Sequence, residues 1–111
     1  MQGLAGQKTG YDTWFDALAA MEKQMDACDY EVAIIGAGAY GLPLAAHARD
    51  TGHVAIQMSG ATQLLFGIKG RRWDTPTPQN PAKAVSNPAW VRPAPAEQPA
   101  NKQAVEGGSY W

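Results

Sequence analysis

Residues 30–58 read YEVAIIGAGAYGLPLAAHARDTGHVAIQM, and this stretch decides the fold. It opens on the apolar run Val32-Ala33-Ile34-Ile35, passes glycines at 36, 38 and 41, and closes on Val54-Ala55-Ile56. Between the runs, LPLAAHARD has a helical composition, and Pro43 falls in the first turn, where a missing N–H costs little. A strand, a glycine turn, a helix and a strand within about 30 residues make one βαβ unit. The expected bounds are Glu31–Ile35 for the first strand, about 39–50 for the helix, and His53–Met58 for the second strand, with Gly52 ending the helix. Because Val32–Ile35 is apolar at every position, a strand covered on both faces is expected.

The chemistry of this unit lies in its first turn, where backbone N–H groups hold phosphate at a helix N-terminus. Gly36 allows the tight turn, Gly38 removes a side chain that blocks close backbone approach, and Gly41 lets the helix pack on the strand. A strand before and a helix after is the context this GxGxxG spacing requires. The same spacing also serves a strand-to-helix turn with no ligand, and both readings stand at this point. A dinucleotide further needs an acidic residue about 20 positions on, to bond the ribose hydroxyls. Counting from Gly36 reaches Ile56, Gln57 and Met58, none of them acidic, and no arginine is there to take a 2′-phosphate. The nicotinamide reading loses its second half.

Beyond the second strand, residues 59–73 read SGATQLLFGIKGRRW. Open α/β sheets place their ligand crevice at this end of the strands. Ser59, Thr62 and Gln63 offer hydroxyl and amide groups, and Gly60 permits close backbone approach. Lys69, Arg71 and Arg72 set three cations within four residues, suited to phosphate as a point charge and planar forks, with Trp73 beside them to stack on a base or sugar. A short helix at Ala61–Phe66 followed by a solvated basic turn is the competing reading. Upstream, Trp14, Leu18, Met21, Met25 and Cys28 form one stripe at helical spacing over Tyr11–Cys28. Asp12 or Thr13 is expected to cap that helix, and Asp16 favours its dipole; the stripe packs as core. His47 and His53 lack a second histidine at ligand spacing, and neither an Asp-x-Asp nor an Asp-x-Glu pair is expected to hold a divalent cation.

The chain of 111 residues has a net charge of −1, so no overall field draws it to nucleic acid or acidic membranes. Its one cysteine, Cys28, excludes an internal disulfide, and no apolar run approaches the length of a membrane span. The N-terminus MQGLAGQKTGYD lacks the pattern of a secretory signal, so a cytoplasmic location is expected. Prolines at 76, 78, 81, 88, 93, 95 and 99 bar a helix or a central strand there. The expected organisation is therefore α/β: residues 1–74 form an amphipathic helix plus a partial Rossmann-like βαβ core, and residues 75–111 a Pro-rich extended tail.

Two resemblances follow. The segment IGAGAYGLPLAAHARDTGHVAI resembles the opening βαβ of the UDP-sugar dehydrogenases, which share GLPLA and a Gly-His before strand two; there the motif sits near the N-terminus and strand two ends in an acid. TWFDALAAMEKQM, the βαβ stretch through GRRWD, and a tail with WVRP and EGGSYW resemble the C-terminal portion of bacterial proteins with a GT-D-like glycosyltransferase fold. Those proteins are associated with capsule and surface-polysaccharide biosynthesis. Their most specific signature is GGATQLLFGIKGKRW, and this chain has serine for the first glycine and arginine for the last lysine. Family members are two to three times longer, with nucleotide-sugar and metal motifs partly in an N-terminal half.

The resemblance implies a nucleotide-sugar ligand of UDP type, lined by Gly36, Gly38, Ser59, Gly60, Thr62 and Gln63, with Lys69 and Arg72 near phosphates and no metal ligand among them. A dinucleotide-binding fragment and a non-catalytic interaction or oligomerisation module are the alternatives. Two strands are few for a stable sheet, so the tail is expected to pack across the domain, or the chain to pair with another copy or a missing N-terminal half. Trp90, Tyr110 and Trp111 supply apolar area for docking. Deleting residues 76–111 is expected to lower the thermal midpoint by about 4 °C or more; an unchanged midpoint contradicts docking.

Overall fold

A computed structural model describes residues 9–74 and 87–111; the N-terminal MQGLAGQK and prolines 76, 78 and 81 lie outside the described residues. It is a mixed α/β structure with a two-stranded parallel sheet and three α-helices among those residues. The chain falls into two compact units, Thr9–Thr62 and Gln63–Trp111.

In the first unit, helix α1 spans Trp14–Asp26. Thr13 caps it. The Thr13 hydroxyl accepts from the Asp16 N–H at 3.1 Å, and the Asp16 carboxylate accepts from the Thr13 N–H at 2.9 Å. This reciprocal box satisfies two N–H groups that a helix start leaves open. Hydrogen bonds from the Thr13 side chain and backbone hold the Asp16 carboxyl below its usual range. Trp14, Leu18, Met21 and Met25 are half-buried along the expected stripe, whereas Cys28 lies past the helix end and is exposed.

Strand β1 is Val32–Ile35 and β2 is Val54–Gln57. They pair in parallel, with Val32 opposite Val54 and Ile35 opposite Gln57. The ladder continues at both ends, Val54 N–H donating to Glu31 O at 3.0 Å and Met58 N–H to Ile35 O at 2.9 Å. Parallel strands need a crossover, and helix α2, Gly41–Asp50, supplies it. Ala17 of α1, Ile35 of β1, and Leu44 and Ala48 of α2 are the buried apolar residues. The Trp14 ring stacks on Tyr40 at 4.9 Å between centroids and 7° between planes. Asp26, the last residue of α1, meets His47 of α2 at 2.7 Å.

Among the described residues, the sheet is covered on one face only. Ala33 and Ile35 turn toward α2, but Val32, Ile34, Val54 and Ile56 are 48%, 50%, 58% and 48% exposed. The expectation of two covered faces fails because one crossover helix can lie on one face. The four-residue α3, Thr62–Leu65, is too short to form a second layer.

The second unit is held by backbone contacts rather than by a sheet. Val91 N–H donates to Gly67 O at 2.9 Å and Lys69 N–H to Val91 O at 2.7 Å, around a single bridge between Ile68 and Val91. Arg72 N–H donates to Ser109 O at 2.9 Å and Arg71 N–H to Trp111 O at 3.3 Å. A Cβ on the buried Gly70 would stand 2.7 Å from Tyr110 O. Residues 87–111 thus fold back on 67–72 through short 3-10 turns at Pro95–Glu97, Lys102–Ala104 and Glu106–Gly108, rather than running plainly extended.

Close approach at Gly36 joins the ends of the two strands. A Cβ there would lie 2.7 Å from Thr62 Oγ1 and 3.1 Å from Ser59 O. Gly36→Ala is therefore expected to cost about 1–3 kcal/mol by overpacking. Gly10→Ala, with nothing within 4 Å, should be neutral. Equal denaturation midpoints for the two variants would contradict this packing.

Candidate functional site

The three glycines of the turn do different work. Gly36 and Gly41 pack: a Cβ on Gly41 would stand 2.7 Å from the Gln57 side-chain amide. Gly38 is the open one. Its φ is 53°, and no atom lies within 4 Å of where its Cβ would be. A left-handed φ is cheap for glycine and costly for residues with a Cβ. Gly38 begins a 3-10 turn, Gly38–Tyr40, that runs directly into α2, and no side chain caps the 3-10 turn or the helix. Helix N-termini carry N–H groups without intrahelical partners. Here no N-cap side chain bonds them, and within the turn the Tyr40 N–H donates to Ala37 O at 3.0 Å and the Gly41 N–H to Gly38 O.

The facing wall comes from the exit of β2. A 3-10 turn, Ser59–Ala61, leads into Thr62 at the start of α3. Ser59 and Thr62 lie against Gly36, so the glycine turn and residues 59–62, Gly60 included, meet at the carboxyl ends of the strands. The Thr62 Oγ1 atom is buried, with no hydrogen-bond partner among the described residues. Ser59 has φ 51°, in the left-handed region.

The remaining sequence candidates belong to the second unit, where the C-terminal residues engage the side chains of three of them. The Gln63 side-chain amide donates to Tyr110 O at 2.7 Å. The Arg72 guanidinium donates to Glu106 Oε2 at 2.9 Å and lies over the Tyr110 ring, 4.5 Å from its centroid. Arg71 donates to Gly107 O. Lys69 is half-buried beside Gly70, its backbone N–H bonded to Val91 O. The Trp73 indole N–H is buried without a partner.

No family model, curated protein or solved structure matches this chain.

Sequence reading missed the pairing of His47 with Asp26 because the two are 21 residues apart, on separate helices. That pair ties α1 to α2 in the first unit. His53 is held between the Tyr30 ring, stacked at 4.3 Å, and the Thr51 hydroxyl at 3.1 Å. The sequence also carries an Asp-x-Glu pair, Asp29 and Glu31. It precedes β1 and so lies at the end of the sheet opposite the glycine turn. Among the described residues no three His, Cys, Asp or Glu side chains group as a metal site. An open groove of about 380 Å³, lined by Leu42, Ala45, Ala46, His53 and Val54 among others, contains none of the glycine-turn or residue 59–72 candidates.

The left-handed backbone at Ser59 gives a sharp test. Ser59→Gly should raise stability by about 0.5–1 kcal/mol, the relief of αL strain less the added freedom of the unfolded chain. A lowered denaturation midpoint would contradict the conformation assigned to Ser59.

Proposed function

We propose that this chain is the nucleotide-sugar-binding segment of a glycosyltransferase-like protein, built on a Rossmann-like βαβ core whose glycine turn receives the diphosphate. The observation that carries this reading is Gly38, with its left-handed φ and the open space over it at an uncapped helix start. A phosphate oxygen there meets backbone N–H groups and the positive end of the α2 dipole. The residue 59–61 turn stands on the facing wall and suits further oxygens of the ligand. The reading draws its donor class from the resemblance of residues 59–73 to the GGATQLLFGIKGKRW signature. Catalysis belongs to groups beyond this segment.

Gln57 speaks against the nicotinamide alternative. It ends β2 where a ribose-binding acid would stand, and its neutral side chain packs against Gly41. A second reading is favoured by the open sheet face of Val32, Ile34, Val54 and Ile56. Apolar sheet faces of this kind are covered in stable proteins. An interaction module, completed by another copy or by an N-terminal half, accounts for that face and is compatible with the first reading.

Calorimetric titration separates these. UDP should bind saturably, and NAD should give no saturable heat. Gly38→Val should weaken UDP at least tenfold, whereas Gly52→Val, which places the same strain at φ 89° beyond the other end of α2, should leave UDP affinity unchanged. Equal affinity in both variants, or no UDP binding at millimolar ligand, would remove the proposal.

A further inference from the structure

We infer that residues 106–111 are a strap whose Glu106–Gly107 end occupies the Arg71 and Arg72 side chains and is displaced from them when a diphosphate binds. The inference concerns the second unit alone and is independent of the glycine-turn reading above. Glu106 presents one carboxylate oxygen to Arg72 at 2.9 Å, while its other oxygen accepts from the Tyr110 hydroxyl at 3.2 Å. One carboxylate oxygen on the guanidinium is a charge-assisted contact of the kind a phosphate oxygen also makes. Glu106 thus stands in for a ligand oxyanion. Arg71 is taken by Gly107 O, and the strap's own backbone is bonded to Arg71 and Arg72 at Trp111 O and Ser109 O.

Two features make the strap displaceable rather than permanent. The Arg72–Glu106 pair is solvent-exposed, with side chains 31% and 56% accessible, and exposed ion pairs are weak. Glu106, Gly107 and Gly108 run at φ 45°, 64° and 76°, so the segment is closed by consecutive left-handed residues, one of them not glycine. A diphosphate brings more negative charge than a single carboxylate and wins Arg72, and the Glu106 backbone then relaxes. The affinity of the free cations is lowered by the fraction of time the strap is closed.

Inorganic pyrophosphate titrated into the intact chain, with the amide resonances of residues 106–111 followed by NMR, tests this. The resonances should shift saturably. Glu106→Gln should bind pyrophosphate at least threefold more tightly, and Arg72→Ala should abolish both effects. Unmoved strap resonances, or wild-type affinity in Glu106→Gln, would overturn the inference. UDP as a second titrant separates the two proposals. A strap moved by pyrophosphate with no UDP effect on residues 36–41 keeps the strap and sinks the nucleotide-sugar reading.

Discussion

A side chain has no room at residue 36, and the first unit is organised around that exclusion. Thr62 and the Ser59 carbonyl occupy the volume a Cβ would need. The chain leaving β2 therefore lies directly on the chain leaving β1, and the carboxyl ends of both strands come together. At the other side of the turn, Gln57 fills the equivalent space at Gly41, which seats α2 on β2. With both ends of the turn pinned, Gly38 is left as the point where backbone faces open space. Close packing on either side of it keeps the helix start from collapsing on the strand.

The same economy leaves the sheet unfinished. One crossover helix covers one face, so four β-branched residues stay half exposed on the other. The buried apolar set includes two alanines, and no large side chain is fully buried. Stability in this unit leans instead on specific contacts: the capping box of α1, the Trp14–Tyr40 stack and the Asp26–His47 pair. The second unit solves its own problem differently. Among its described residues it has a single bridge and no ladder, and it buries Gly70 under the carbonyls of Ser109 and Tyr110.

Local signals made the order of elements legible. Alternating apolar runs, the glycine spacing, Pro43 and Gly52 place β1, α2 and β2 within one or two residues of where they lie. Thr13 and Asp16 likewise announce the start of α1. What the sequence hides is anything set by distant pairing. The run Val32–Ile35 reads as doubly covered because composition records apolarity, while coverage depends on how many helices the chain supplies. Glu106 gives no hint in sequence that it meets Arg72, 34 residues away. Gly36 and Gly38 look equivalent in the motif. Only the neighbours of each reveal that one packs and the other stays open.

The contact between Gly36 and Thr62 is the claim on which both the turn and its facing wall depend, and nuclear Overhauser spectroscopy on the free chain reads it directly. Strong cross-peaks between the Gly36 Hα protons and the Thr62 side chain are predicted, in register with a Val32–Val54 strand pairing. Their absence from an otherwise complete βαβ pattern would contradict the account, since the wall formed by residues 59–62 would then stand apart from the glycine turn.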